Sequence, residues 1–103
     1  MNHGNLYEAM DAPATGERFE TILQHTNLVV ERIISSANTT PSEYVQDQDE
    51  WVLLAQGTAI LEINGQAKEL KAGDYVFLPA GTPHTVRKVS EGALWLAVHL
   101  HPA

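Results

Sequence analysis

Three polar side chains, Tyr44, Gln46 and Glu50, lie at even separations along one short segment of the sequence. In extended backbone, positions two and four apart face the same side, so the spacing predicts that these groups share a strand face with Val52 and Leu54. A carboxylate among apolar neighbours is costly unless a cation or hydrogen-bond donors compensate its charge. Glu50 is therefore predicted to have a partner inside the fold.

His84 is the predicted partner, because it follows a proline loop at the mouth end of another strand. Glu50 and His84 together supply one carboxylate and one imidazole, which suit Zn, Fe, Mn or Ni, although a stable site normally needs a third protein group. The amide of Gln46 is a weaker donor than imidazole. Tyr44 would have to lose its phenolic proton before it became a strong ligand.

The elements that must position these groups are predicted to be short strands, because apolar or alternating stretches are separated by turn residues at the spacing of a sandwich or barrel. No stretch predicts a long helix. An N-terminal arm over residues 1–18 precedes a barrel domain over residues 19–103. Eight strands are predicted near Glu20–His25, Leu28–Ile34, Trp51–Gln56, Thr58–Ile63, Gln66–Leu70, Tyr75–Leu78, His84–Val89 and Leu94–Leu100.

Turn residues in the sequence specify two of the connections between strands. Asn64 and Gly65 tolerate the positive φ of a type I′ turn and predict a two-residue hairpin. Pro79 and Pro83 lack N–H donors, so the segment between them is predicted to be a loop outside the sheet ladders.

The second of these segments resembles one motif of the cupin family, which is commonly written G-x5-P-x-G-x2-H-x3-N. Gly73, Pro79, Gly81 and His84 match it in spacing and identity, while Lys88 stands at the final Asn position. Four such agreements are unexpected by chance.

The first cupin motif, G-x5-H-x-H-x3,4-E-x6-G, keeps its frame here but not all of its residues. Glu50 and Gly57 match, whereas Asn38, Tyr44 and Gln46 replace the opening glycine and the two histidines. The segment resembles a cupin subgroup in which Tyr-x-Gln precedes Glu-Trp.

This resemblance implies an all-β fold, a single cupin-type barrel (double-stranded β-helix or jelly roll). It implies a divalent transition metal, Zn, Fe, Mn or Ni, held by Gln46, Glu50 and His84 beside a small-molecule pocket, with Tyr44 as the nearest candidate catalytic proton donor. The alternative is a non-enzymatic, metal-poor barrel in which the same four residues hydrogen-bond a small molecule. The fold does not select between these hypotheses or identify a reaction.

The composition limits the classes of partner that the protein is expected to bind. Thirteen acidic against six basic residues give a net charge of −7 without a basic cluster, which argues against nucleic acid. No apolar run approaches the length that crosses a bilayer, and the start lacks a signal-peptide pattern, so a cytoplasmic protein without membrane contact is expected. A homodimer is expected too, since small cupins have exposed strand edges.

The remaining histidines and aromatic residues receive structural interpretations. His99 is predicted to be solvated or hydrogen-bonded rather than a ligand, and His3, His25 and His101 are assigned no role. The aromatic side chains most often indicate core packing, which is the expectation for Trp51, Tyr75, Phe77 and Trp95.

Overall fold

The structure, a computed structural model, describes residues 3–103 as an assembly of antiparallel strands without a helix. The strands are β1 Glu17–His25, β2 Leu28–Ser35, β3 Glu43–Tyr44, β4 Asp49–Gln56, β5 Thr58–Ile63, β6 Gln66–Lys71, β7 Tyr75–Leu78, β8 His84–Val89 and β9 Ala93–Leu100. They form a five-stranded sheet in the order β1-β2-β9-β4-β7 and a four-stranded sheet in the order β3-β8-β5-β6. The predicted all-β jelly-roll barrel is confirmed, as are all eight predicted strands.

The core lies between the two sheets, where alternate residues of facing strands are buried. On β4, for example, Val52 and Leu54 are buried while their neighbours are partly exposed. The core cluster comprises Ile33, Val52, Leu54, Ala59, Leu61, Leu70, Leu78, Val89, Ala93, Trp95 and Ala97.

The predicted hairpin joins β5 to β6. Asn64 and Gly65 have φ values of 50° and 79°, and Ile63 pairs with Gln66 across the turn. Both positive φ angles are those that a type I′ turn requires.

One strand was not predicted. The two-residue β3 pairs with the start of β8, so that Glu43 lies opposite Thr85 and Tyr44 lies opposite His84. So short a strand has no alternation of apolar and polar residues that sequence could reveal.

The expectation of core packing is confirmed for Trp95 and wrong for Trp51, Tyr75 and Phe77. Trp95 is buried between the sheets, but Tyr75 and Phe77 are 65% and 58% exposed. Both lie on the outer face of edge strand β7, and the Tyr75 ring contacts Trp51 on β4 with their centroids 5.6 Å apart. The opposite parity on β7 places Val76 and Leu78 inward.

The chain before β1 lies against the five-stranded sheet. Arg32, which is buried, donates hydrogen bonds to the carbonyls of Leu6 and Glu8. No helix in the described part of the chain is long and apolar enough to cross a membrane. The boundary predicted between residues 18 and 19 stays a prediction, although β1 begins at Glu17.

Candidate functional site

Two segments distant in sequence are joined by hydrogen bonds at one end of the barrel. The Gly81 N–H in the proline loop donates to the Gln46 carbonyl at 2.8 Å, and the Ala80 N–H donates to the Asp49 carboxylate at 2.9 Å. The β3–β8 pairing also holds the Tyr44 ring stacked on His84, with centroids 6.0 Å apart. The loop thereby places the start of β8 beside the segment that carries Gln46.

Glu50 and His84 face each other inside this end of the barrel. Glu50 Oε1 lies 3.9 Å from His84 Nε2, and the two residues are 6% and 8% exposed. His84 Nδ1 lies 3.0 Å from the Thr82 carbonyl, which can only accept, so Nδ1 carries a proton. His84 Nε2 then faces Glu50 Oε1, a carboxylate oxygen that has no hydrogen-bond partner among residues 3–103.

This arrangement raises the pKa of Glu50 above its ordinary value. Burial is the largest cause, because it disfavours the charged carboxylate. The nearby histidines, His99 first and then His84, act in the opposite direction, while Glu31 and Glu17 raise the pKa further. Glu50 Oε1 is thus a buried acceptor without a hydrogen-bond donor among residues 3–103.

His99 lies beside Glu50 as its cross-strand partner on β9. Its Nε2 is 2.9 Å from Glu31 Oε1, its Nδ1 is 3.3 Å from the amide nitrogen of Gln48, and it is 6% exposed. The hydrogen-bonded interpretation of His99 is therefore confirmed, whereas a solvated side chain is not what the structure has. Trp95, Ala97 and His99 form the inward face of β9.

A second polar chain of contacts reaches the same region from β1. Trp95 Nε1 donates to Ser35 Oγ at 3.1 Å, and Ser35 Oγ donates to Glu17 Oε2 at 2.8 Å. Burial raises the pKa of Glu17 and the nearby Glu31 carboxylate raises it further, while the Ser35 hydrogen bond lowers it. Glu17 and Glu31 were not predicted as site residues, because Glu17 was assigned to the arm and Glu31 stands beside Arg32 in a strand that is apolar at its other predicted positions.

These groups line one cavity of about 90 Å³. A water molecule occupies about 30 Å³ in the liquid, so the cavity has room for an ion with a few waters or for a small head group. Its lining residues are Glu17, Phe19, Glu31, Ile33, Tyr44, Gln46, Glu50, Val52, Leu61, Leu78, His84, Val86, Trp95 and His99.

All four predicted site residues, Tyr44, Gln46, Glu50 and His84, line this cavity. The prediction that Tyr44, Gln46 and Glu50 share one strand face is wrong, because Tyr44 ends β3 in one sheet and Glu50 lies on β4 in the other. The chain crosses between the sheets, and both sheets border the cavity.

Across residues 3–103, no three histidine, aspartate or glutamate side chains converge closely enough to hold a metal ion. Gln46, which is half-buried, lines the same cavity as Glu50 and His84. The metal-ligand roles of these residues therefore stay predictions.

Two antiparallel sheets enclose a largely apolar pocket with these polar groups at its lining, which is a cupin-type barrel. The family model for the cupin domain matches residues 29–99, and the chain belongs to the cupin family.

Among solved structures, a candidate mannose-6-phosphate isomerase from Ralstonia eutropha JMP134 superposes with a TM-score of 0.84 at 33% identity, covering 97% of this chain and 98% of that one. A predicted oxalate decarboxylase from Thermotoga maritima has a TM-score of 0.72 at 18% identity, over 84% and 81% of the two chains, which is a likeness of fold alone.

Among curated proteins, the quercetin 2,3-dioxygenase of Bacillus subtilis (strain 168) is 31% identical over 77 residues. The match covers 75% of this chain and 20% of the dioxygenase, so the match spans about a fifth of that longer protein.

Proposed function

We propose that the barrel binds a divalent transition metal ion between Glu50 and His84, with Gln46 completing or orienting the shell, and takes a small molecule into the adjoining cavity. The observation that supports this most is the pair of buried atoms, Glu50 Oε1 and His84 Nε2, that face each other across 3.9 Å. Glu50 Oε1 has no hydrogen-bond partner among residues 3–103, and a metal cation bound by this oxygen and by a deprotonated Nε2 would satisfy both atoms.

The donor set fits such an ion. A carboxylate oxygen and an imidazole nitrogen suit Zn, Fe, Mn or Ni, and the Thr82 carbonyl already fixes the His84 tautomer that leaves Nε2 free to bind. When bound, the ion would supply Lewis acidity or an open coordination position for the small molecule.

Tyr44 is proposed as the residue that exchanges a proton with the bound molecule. It lines the cavity, stacks on His84 and is 45% exposed, so it stands between the cavity and solvent. A phenol in that place could donate to a ligand that enters past it.

We do not propose for this chain the reactions that the relatives' names state. The chain spans a fifth of the Bacillus dioxygenase, and a phosphorylated sugar, as in the name of the Ralstonia protein, would meet three glutamates that line this cavity. Metal-dependent catalysis with an unassigned substrate is the reading that the geometry supports.

A second candidate function is metal-free binding of a small molecule by hydrogen bonds. It is favoured by the lack of three converging histidine or carboxylate side chains in the described chain. In this case Glu50 would accept from a donor on the ligand itself.

Metal analysis separates the two functions. We expect protein purified without added metal to carry close to one equivalent of transition metal. After chelation, Zn, Mn, Fe or Ni should raise the melting temperature, since a ligand at about 100 times its Kd stabilises by about 2.7 kcal/mol. Less than about a tenth of an equivalent, with no thermal shift on adding metal, would leave the metal-free function.

Two substitutions test the ligands. Glu50→Gln and His84→Ala should each weaken metal binding by about tenfold or more, which corresponds to about 1.4 kcal/mol. His25→Ala, at an exposed histidine on β1, is the matched control and should not change the affinity. Unchanged affinity in either ligand variant would refute that residue's role.

A further inference from the structure

The cavity is acidic on its polar side. Three glutamates, Glu17, Glu31 and Glu50, line it together with two histidines. No lysine or arginine of residues 3–103 is among the lining side chains. A molecule that enters therefore meets carboxylates and meets no fixed cation that could hold a phosphate or a carboxylate.

Strand alternation explains where the nearest cations are. On β1, Arg18 lies between the cavity-lining residues Glu17 and Phe19, and on β2, Arg32 lies next to Glu31. Successive side chains of a strand face opposite sides, so both arginines are directed to the outer face. There they donate to carbonyls of the N-terminal segment, Arg18 to Ala9 at 2.6 Å and Arg32 to Leu6 at 2.9 Å.

The Glu50 side chain itself points to a ligand. It is only 6% exposed, it lines the cavity, and its Oε1 has no hydrogen-bond partner among residues 3–103. A buried carboxylate oxygen without a donor is costly, so a donor supplied by a ligand in the cavity would be favourable.

We infer that the cavity selects a small molecule whose head group is a cation with N–H donors, an organic ammonium such as a primary amine, and rejects carboxylates and phosphates. The inference rests on the second candidate function, the metal-free ligand cavity, because a metal ion on Glu50 would occupy the carboxylate that the ammonium needs. The ammonium would donate to the Glu50 carboxylate, and Glu17 and Glu31 would add favourable charge.

The walls set the rest of the ligand. Leu61, Val86 and Trp95 give the cavity an apolar lining behind the polar groups, and the exposed rings of Phe19 and Tyr44 flank its opening. With about 90 Å³ available, the head group and a short alkyl chain fit inside, and any longer body would lie between the two rings. Aromatic faces also attract cations, which favours entry of an ammonium.

A series of ligands that differ only in head group tests the inference. We expect n-butylamine to bind EDTA-treated protein at pH 7 at least about tenfold more tightly than butyrate, with 1-butanol between them. Binding is read from the indole N–H signal of Trp95 in ¹H–¹⁵N spectra. Trp51, on the outer face of β4, is the internal control and should not shift.

Variants then locate the selectivity. Glu31→Gln and Glu17→Gln should each weaken butylamine binding by about threefold or more, because each removes one charge beside the head group. Glu69→Gln, on the exposed β6, is the matched control and should leave binding unchanged.

Butyrate binding as tightly as butylamine, or no butylamine binding at the highest soluble concentration, would overturn the inference. Zinc titration of the same EDTA-treated sample tests the proposed metal site separately. Amine selectivity without zinc binding would retain this inference and refute the metal, and zinc binding without amine selectivity would do the reverse.

Discussion

Single residues around the cavity hold charge at a cost to stability. Glu17 illustrates this clearly, because its pKa is raised by burial while its Oε2 keeps one hydrogen bond, from Ser35. The folded protein therefore binds the Glu17 proton more tightly than the unfolded chain does. As pH rises through the ordinary value of 4.5, the unfolded chain loses this proton first, and the fold is progressively destabilised until Glu17 in the folded state has ionised too.

Glu17→Gln should remove this penalty, because a glutamine carbonyl can still accept from Ser35 without carrying charge. We expect the melting temperature to rise by a few degrees at pH 8, since about 1 kcal/mol corresponds to about 4–8 °C in a domain of this size. The difference between variant and wild type should shrink as pH falls towards 4.5. Thermal unfolding followed by circular dichroism across pH 4 to 8 measures it.

The exposed substitution Glu69→Gln provides the comparison, and its effect should be small and nearly independent of pH. A Glu17→Gln variant that is less stable than wild type at pH 8 would contradict the raised pKa as the source of the penalty.

The sequence could predict part of this site. Glu50 and His84 stand at motif positions, and alternation with Val52 and Leu54 correctly places Glu50 inward. Glu31 could not be found in this way, because apolar residues occupy both faces of β2 and no periodicity in its sequence distinguishes the inward face from the outward one. Tyr44 reaches the cavity from a different sheet, so its position depends on a crossing of the chain that spacing alone does not encode.

At the scale of elements, turn residues carried most of the fold information. Asn64-Gly65 and the Pro79–Pro83 loop separate strands whose limits match their predicted positions within a residue or two. Strand β3 lacks such a signal, since two residues are too few for a pattern. The expectation that Tyr75 and Phe77 face the core was wrong, because both faces of β7 are apolar in sequence and only the tertiary structure decides which one is buried.

Gly57, between β4 and β5, is required by both conformation and space. It has a φ of 94°, and a Cβ built there would lie 2.6 Å from Ser90 Oγ and 3.0 Å from Ala93 Cβ. Ser90 Oγ also accepts a hydrogen bond from the Thr58 N–H at 3.0 Å. Gly65 likewise has a positive φ, of 79°, but an added Cβ would meet nothing within 4 Å.

The two glycines therefore form a matched pair. Gly65→Ala should cost about 1–2 kcal/mol from left-handed backbone strain alone. Gly57→Ala should lower the free energy of unfolding by about 1–3 kcal/mol more, because Ser90 and Ala93 must move away from the new Cβ and the hydrogen bond from the Thr58 N–H to Ser90 is disturbed. Urea unfolding of both variants measures the two losses. Equal losses would show that the close contact at Gly57 relaxes freely.

At the scale of the whole molecule, one apolar surface is left uncovered. The outer face of β9, β4 and β7 presents Tyr75, Phe77 and Leu100 as exposed side chains, next to the partly buried Trp51 and Val98. The N-terminal segment contacts a neighbouring part of the same sheet through Arg32 on β2.

We propose that this outer face is the interface of a homodimer. A chain of net charge −7 repels its own copy, so self-association favours a surface with few charges. On the outer faces of β4, β7 and β9, Asp49 at the end of β4 is the charged position, and the others are apolar. Aromatic side chains such as those of Tyr75 and Phe77 are enriched at the centres of protein interfaces.

Light scattering coupled to size-exclusion chromatography tests the dimer. At about 100 μM we expect a mass near twice the 11.3 kDa of one chain. Phe77→Glu should reduce it to the mass of one chain, because a loss of only about 2.7 kcal/mol of binding free energy weakens the Kd by two orders of magnitude. Val45→Glu, at a 61% exposed apolar residue outside this face, should leave the dimer intact. A monomeric wild type would refute the dimer. A dimer that survives Phe77→Glu would place the interface elsewhere, because an unpaired glutamate buried at its centre could not be tolerated.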